Sequence, residues 1–125
     1  MEKIKFLTIG RTKWTSENLK EWNEVIEEHA PDLYEIIYEF REKEVLKQLK
    51  EFRPQVIMLT SLKNTLDWIK TIKQLYPEKP IFVIGREEDE ELFDEFMACG
   101  AYKCYLPPFA SETMMHDIHV ALNLE

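Results

Sequence analysis

The sequence predicts a doubly wound α/β sandwich, a five-stranded parallel sheet covered by helices on both faces. Three observations predict it. Apolar runs of strand length alternate strictly with segments of helical period along the whole chain. The connections between them are short, which suits one compact domain over residues 1–123. The central runs "VIML" and "IFVI" are continuously apolar instead of alternating, the pattern of strands buried on both faces. Right-handed crossovers then wind the helices onto the two faces.

Each element follows in turn. "IKFLTIG", Ile4 to Gly10, is a short apolar strand closed by glycine. "TSENLKEWNEVIEEHA" reads as a helix with Ser16 or Thr15 at its N-cap and Leu19, Trp22, Val25 and Ile26 along one face. Pro31 breaks the chain, and "LYEIIYEF" supplies the second strand. "REKEVLKQLKEF" is a helix expected to turn Val45, Leu46, Leu49 and Phe52 inward. "QVIMLTS" is the third strand.

"NTLDWIKTIKQLYP" begins with Asn64 as an N-cap, carries Leu66, Ile69, Ile72, Lys73 and Leu75, and stops at Pro77. "PIFVIG" is the fourth strand, again closed by glycine. "REEDEELFDEFMACG" reads as a helix with an acidic head and Gly100 as its C-terminal stop. "AYKCYLPPF" holds the fifth strand, and the last helix starts after Ser111 with "ETMMHDIHVALN". The final Leu124 and Glu125 read as a cloning remnant and carry no weight.

Composition narrows the function. At 125 residues with 45% hydrophobic and 12% aromatic content, the chain has enough apolar material for a core without disulfides or metal. The net charge of −8, with lysines scattered among glutamates, argues against a nucleic-acid surface. Cys99 and Cys104 read as reduced thiols, and His116 and His119 as surface or core-edge residues with no third metal ligand at hand. The sequence shows no membrane span and no signal-peptide layout, so a cytoplasmic location is expected.

In folds of this kind ligands sit at the carboxyl ends of the strands, near the point where the strand order reverses. That rule selects Gly10 and Arg11, Thr60 and Ser61, Gly85 and Arg86, and Leu106 with Pro107 and Pro108.

At these residues the chain resembles a response-regulator receiver domain, of the CheY-like branch of flavodoxin-like folds, over nearly its whole length. "KPIFVIGREEDEELFDEFMACGAYKCYLPPF" is similar to the receiver pattern of strand four, an acidic helix ending in "AGA", and strand five ending in "KPF". "CGA" at Cys99–Ala101 and "PPF" at Pro107–Phe109 hold the matching places, and "RPQVIMLT" resembles "PDLVLLD". The resemblance implies the strand order 2-1-3-4-5. It also implies a phosphorylation pocket whose chemistry this chain lacks. The magnesium-binding acidic pair falls on Gly10 and Arg11, the phosphoacceptor aspartate on Thr60, the strand-four hydroxyl on Gly85 and the strand-five lysine on Pro107. The switch aromatic falls on Cys104, with Tyr105 beside it, and "SLKN" makes the loop after Thr60 shorter than usual. Aspartyl phosphorylation needs a carboxylate nucleophile and a hard divalent cation held by carboxylates.

The expected function is therefore that of a pseudo-receiver, a non-enzymatic signalling module without metal or cofactor. It would bind a protein partner, or a second copy of itself, and serve a downstream effector domain. The resemblance places that contact on the fourth helix, fifth strand and last helix, with Phe93, Met97, Tyr102, Cys104, Tyr105 and Met115 as candidates. Neither nucleic acid nor membrane is an expected partner of this domain. The receiver pattern also makes the Pro107–Pro108 bond a candidate for cis. Thr60 is first of all a β-branched residue suited to a strand end, its hydroxyl bonded to nearby backbone.

The runner-up is a small flavodoxin-like binder of a flavin or an anion. "TIGRTKWTSENL" faintly resembles a phosphate loop but has no internal glycine. Trp14 would stack on the flavin, and Arg11, Lys13 and Arg86 could hold an anion. A hydrolase or transferase finds little support, because no nucleophile elbow, Cys-x5-Arg loop or acid–base pair stands at the strand ends.

Overall fold

A computed structural model describes residues 3–10, 34–39, 41–60, 64–85, 87–106 and 111–123. The expected first helix lies outside the described residues, as do Arg11, Lys13, Trp14, Ser61, Arg86, Pro107 and Pro108. Five strands form one sheet: β1 (Ile4–Gly10), β2 (Tyr34–Glu39), β3 (Val56–Thr60), β4 (Ile81–Ile84) and β5 (Lys103–Tyr105). All neighbours run parallel, in the order β2-β1-β3-β4-β5 expected from the sequence. Four helices are described: α1 (Glu42–Phe52), α2 (Thr65–Leu75), α3 (Phe93–Ala98) and α4 (Ser111–Ala121). None of them is long and apolar enough to cross a membrane.

Side chains that alternate along the strands build two cores, one on each face. Phe6, Met58, Phe82 and Ile84 face Met114 and Ile118 of α4. Leu7, Ile57, Leu59 and Val83 face Val45 and Leu49 of α1, Ile69 and Ile72 of α2, and Phe96 of α3. Every residue of β3 and β4 is buried, as their unbroken apolar runs require.

Leu46, expected inward, is exposed. It stands about 100° around α1 from Val45 and about 60° from Leu49, at the margin of the buried stripe. Leu75 lies on the last turn of α2, beside the stripe of Ile69 and Ile72, and is also exposed. Asn64 does open α2, with its carbonyl accepting from the Trp68 N–H at 3.1 Å, but its side chain makes no capping bond. The acidic head of the fourth helical segment is a 3-10 helix, Glu87–Leu92, and only Phe93–Ala98 is α-helical. The acidic run offers no apolar side chain at helical spacing before Leu92, so nothing on it can be buried against the sheet until Phe93. Gly100 ends the segment at φ +123°, where Ala101 N–H bonds to Phe96 O at 3.0 Å.

Helix α4 is tied to both outer strands. Tyr105 of β5 donates its hydroxyl to Asp117 Oδ2 at 2.5 Å, and Lys103 Nζ lies 3.2 Å from the same oxygen. On the other flank of α4, His119 Nε2 is hydrogen-bonded to the Tyr34 hydroxyl of β2, and the two rings stack.

Candidate functional site

The strand register aligns one row of residues along the carboxyl edge: Gly10 beside Thr60, Thr60 beside Ile84, and Ile84 beside Tyr105. Thr60 is 1% exposed, and its hydroxyl donates to the Ile9 carbonyl at 3.2 Å. That is the backbone-bonded role the sequence suggested for it. Gly10 has φ +153°, a conformation that favours glycine. A Cβ on Gly10 would stand 2.0 Å from both the carbonyl and the hydroxyl oxygen of Thr60. No side chain fits there while β1 and β3 stay paired.

The end of β4 is filled in a different way. Gly85 N–H continues the ladder to the Tyr105 carbonyl at 2.9 Å. A Cβ on Gly85 would meet Phe93 Cε1 at 2.6 Å and Asp89 Cβ at 3.3 Å. The short 3-10 segment thus returns Phe93 directly over the strand end, and Phe93 also packs with Phe96 at 6.3 Å between ring centroids.

Sequence reasoning missed Glu39, the last residue of β2, which is 3% exposed. Its carboxylate accepts from Arg41 N–H and Nε, both at 3.2 Å, and from Gln48 Nε2 at 3.3 Å. Burial pushes this carboxyl up, but the bonds from Arg41 and Gln48 and the Arg41 charge outweigh it and hold the pKa below the ordinary value. The signal was present in "YEFR", an acid at a strand end two residues before an arginine. Two further buried oxygens, Thr8 Oγ1 and Asn64 Oδ1, have no hydrogen-bond partner among the described residues.

These residues do not suit a magnesium ion. Gly10 and Thr60 bring no carboxylate to the row, and the Glu39 carboxylate is engaged by Arg41 and Gln48. Among the described residues no three His, Cys, Asp or Glu side chains stand together as a metal-ligand group.

The candidate interaction face divides into exposed and packed members. Met97 and Tyr102 are exposed, at 42% and 41%, and Leu92, which the sequence reading did not select, is exposed beside them in the chain. Phe93 and Cys104 are half-buried against the core of the α1, α2 and α3 face, and Met115 against the other. Tyr105 is buried, stacked on Phe82, and bound to Asp117. Burial lifts the Cys104 thiol to about 11, and burial together with the Asp117 carboxylate raises the Tyr105 phenol far above its usual value. The structure brings Gly10, Thr60 and Tyr105 into one row and Gly85 to its margin. The anion-binding candidates Arg11, Lys13 and Arg86, and the pocket position Pro107, fall outside the described residues.

No protein-family model matches the chain, and no curated protein matches it. Solved structures do. The receiver domain of a response regulator from Clostridium thermocellum superposes with a TM-score of 0.76 at 20% identity, over 95% of this chain and 94% of that one. The N-terminal signal receiver domain of a two-component response regulator from Bacteroides fragilis gives 0.77 at 16% identity, over 96% and 97%. NtrX from Brucella abortus gives 0.76 at 18% identity, over 98% of this chain and 27% of that longer one. The fold is that of receiver domains. At these identities the likeness fixes the fold alone, and the conditions at the strand ends must argue the rest.

Proposed function

We propose that this chain is a degenerate receiver, a signalling domain that acts without phosphorylation or catalysis by binding a protein partner or a second copy. The observation that carries this reading is the packing around Gly10, Thr60 and Gly85 at the described strand ends. The position of the acidic pair is a glycine pressed onto Thr60, and the strand-four hydroxyl is replaced by a glycine under the Phe93 ring. The phosphoacceptor position is a buried threonine whose hydroxyl is engaged by Ile9. A hydroxyl there is a poor substitute for a carboxylate, because it carries no charge to attract the metal and its proton is already given to the Ile9 carbonyl.

The contact face we assign is the one around Leu92, Met97 and Tyr102, where large apolar side chains remain exposed beside β5. The match to 27% of NtrX supports a place for the domain within a longer regulator that also holds an effector. A soluble cytoplasmic setting goes with this reading.

The test is intact-mass analysis after incubation with acetyl phosphate and magnesium. The expected result is no phosphoryl adduct on the wild type, and none on Thr60→Asp, since the acid pair is not restored. A phosphoryl adduct on the wild-type chain overturns the proposal. Sedimentation velocity of Met97→Glu/Tyr102→Ala against the wild type checks whether the same face joins two copies.

A further inference from the structure

The amino edge of the sheet gathers cations that the sequence holds far apart. Lys3 and Lys5 lie at the start of β1, Arg53 just before β3, and Lys79 just before β4. Two hollows open there. One, of about 520 Å³, is lined by Lys3, Lys5, Glu35, Arg53 and Gln55. The other, of about 370 Å³, is lined by Leu49, Lys50, Arg53, Tyr76, Glu78 and Lys79. Arg53 belongs to both, so they form one strip with five cations against two carboxylates. In a chain of net charge −8 this is a local reversal of sign.

Several of these groups are held in place. The Lys5 ammonium lies 5.4 Å from the centre of the Phe52 ring, and Lys79 lies 5.6 Å from that of Tyr76. Lys79 Nζ also donates to the Pro54 carbonyl at 2.5 Å. Arg53 ends α1 in the left-handed conformation, φ 55° and ψ 60°, where glycine is the usual occupant. That backbone costs an arginine about 1 kcal/mol.

We infer that this edge binds an acidic polypeptide segment, with carboxylates meeting Lys5, Arg53 and Lys79 and an apolar side chain meeting the half-buried Tyr76 ring. The two hollows share Arg53 and together span the starts of β1, β3 and β4, with the half-buried Tyr76 ring among the charges. That suits an extended segment better than a compact inorganic anion, which would use the cations alone. The overall charge of −8 opposes a nucleic acid, whose own charge is uniform and long-ranged. The site lies at the opposite end of the strands from the filled row and does not rest on the reading proposed above.

This chain itself carries a segment of the required composition, "EEDEELFDEF" at residues 87–96, beyond the carboxyl end of β4. On one molecule the sheet separates it from the strip, so a synthetic copy makes a suitable probe. Fluorescence anisotropy of this labelled peptide, titrated with the full chain, is the experiment. Binding is expected, weaker at high salt, and lost in Arg53→Glu/Lys79→Glu and for a peptide with every Glu and Asp changed to Gln or Asn. Circular dichroism melts of the double variant establish that it still folds. If wild-type sedimentation also shows self-association that this variant abolishes, the inference stands, with the exposed Glu90, Glu91, Asp94 and Glu95 of a second copy as the acidic partner. It is overturned by no binding, or by binding indifferent to the double variant. It is equally overturned if pyrophosphate displaces the peptide at matched charge, or if a single-stranded oligonucleotide binds as tightly.

Discussion

The two edges of this sheet are built in opposite ways. At the carboxyl edge, where such folds usually hold ligands, the described ends of β1 and β4 are packed tightly around two glycines. The amino edge is open, and its charged side chains line two hollows. The difference lies in what each edge is made of. Closure by backbone and aromatic packing resists single substitutions, because the volume that a new side chain needs is already occupied. A charged strip depends on side chains that can be exchanged at small cost to the fold.

If that contrast is right, Gly10→Ala has the largest effect. Its methyl would meet Thr60 at 2.0 Å and demand a left-handed backbone. A loss of about 3 kcal/mol or more is expected in chemical denaturation. Thr60→Ala in addition does not repair it, since the Thr60 carbonyl remains in the way. A mild loss would break the comparison at its strongest point.

Gly85 and Phe93 provide a sharper test, because there the obstacle is a side chain. Gly85→Ser is expected to cost about 2 kcal/mol by overpacking and Phe93→Ala about 2–4 kcal/mol by leaving a void. The double variant should cost less than the sum by about 1 kcal/mol or more, the mark of two groups competing for one space. Strict additivity would show that Phe93 does not close this strand end.

The buried titratable groups give a pH signature. Burial raises Tyr34 from 10.0 to about 12 and Cys104 from 9.0 to about 11. A raised folded pKa means the folded chain holds its proton longer than the unfolded one. The stability these groups lend is therefore complete below pH 9 and lost as pH rises through 11 to 12. Melting temperatures measured across that range should fall, and Cys104→Ser should reduce the fall in its lower part.

The smallest effect separates stability from binding. Arg53→Gly relieves a left-handed residue and should stabilise the chain by about 1 kcal/mol while weakening the acidic peptide. A variant that binds as well as the wild type would remove Arg53 from the strip.

Much of the fold was legible because its signals are local. The apolar runs of β1, β3 and β4, the stop at Pro77 and the turn at Gly100 each depend on a few adjacent residues. Leu46 was misplaced because its apolar character pointed inward, although its spacing sets it at the margin of the Val45 and Leu49 stripe. The 3-10 form of Glu87–Leu92 depends on where Phe93 lands, a tertiary fact. The lysines that looked scattered among glutamates come together only when parallel strands bring their starts to one edge. Thr60 could be singled out from the sequence, but the volumes missing at Gly10 and Gly85 could not, since a glycine's neighbours are unknown before folding. Glu39 was overlooked because a strand-end acid usually points to water.

The attachments of α4 have a mechanical consequence. Tyr34 and Tyr105 stand on the two outermost strands, β2 and β5, and each is bonded to a residue of the same helix. The helix is thus a strap across the full width of the sheet, and tension at one margin is transmitted to the other. Cutting either tether, by Tyr34→Phe or Tyr105→Phe, should let the helix lift as a unit. Its amide protons would then exchange together, ahead of those of β3 and β4.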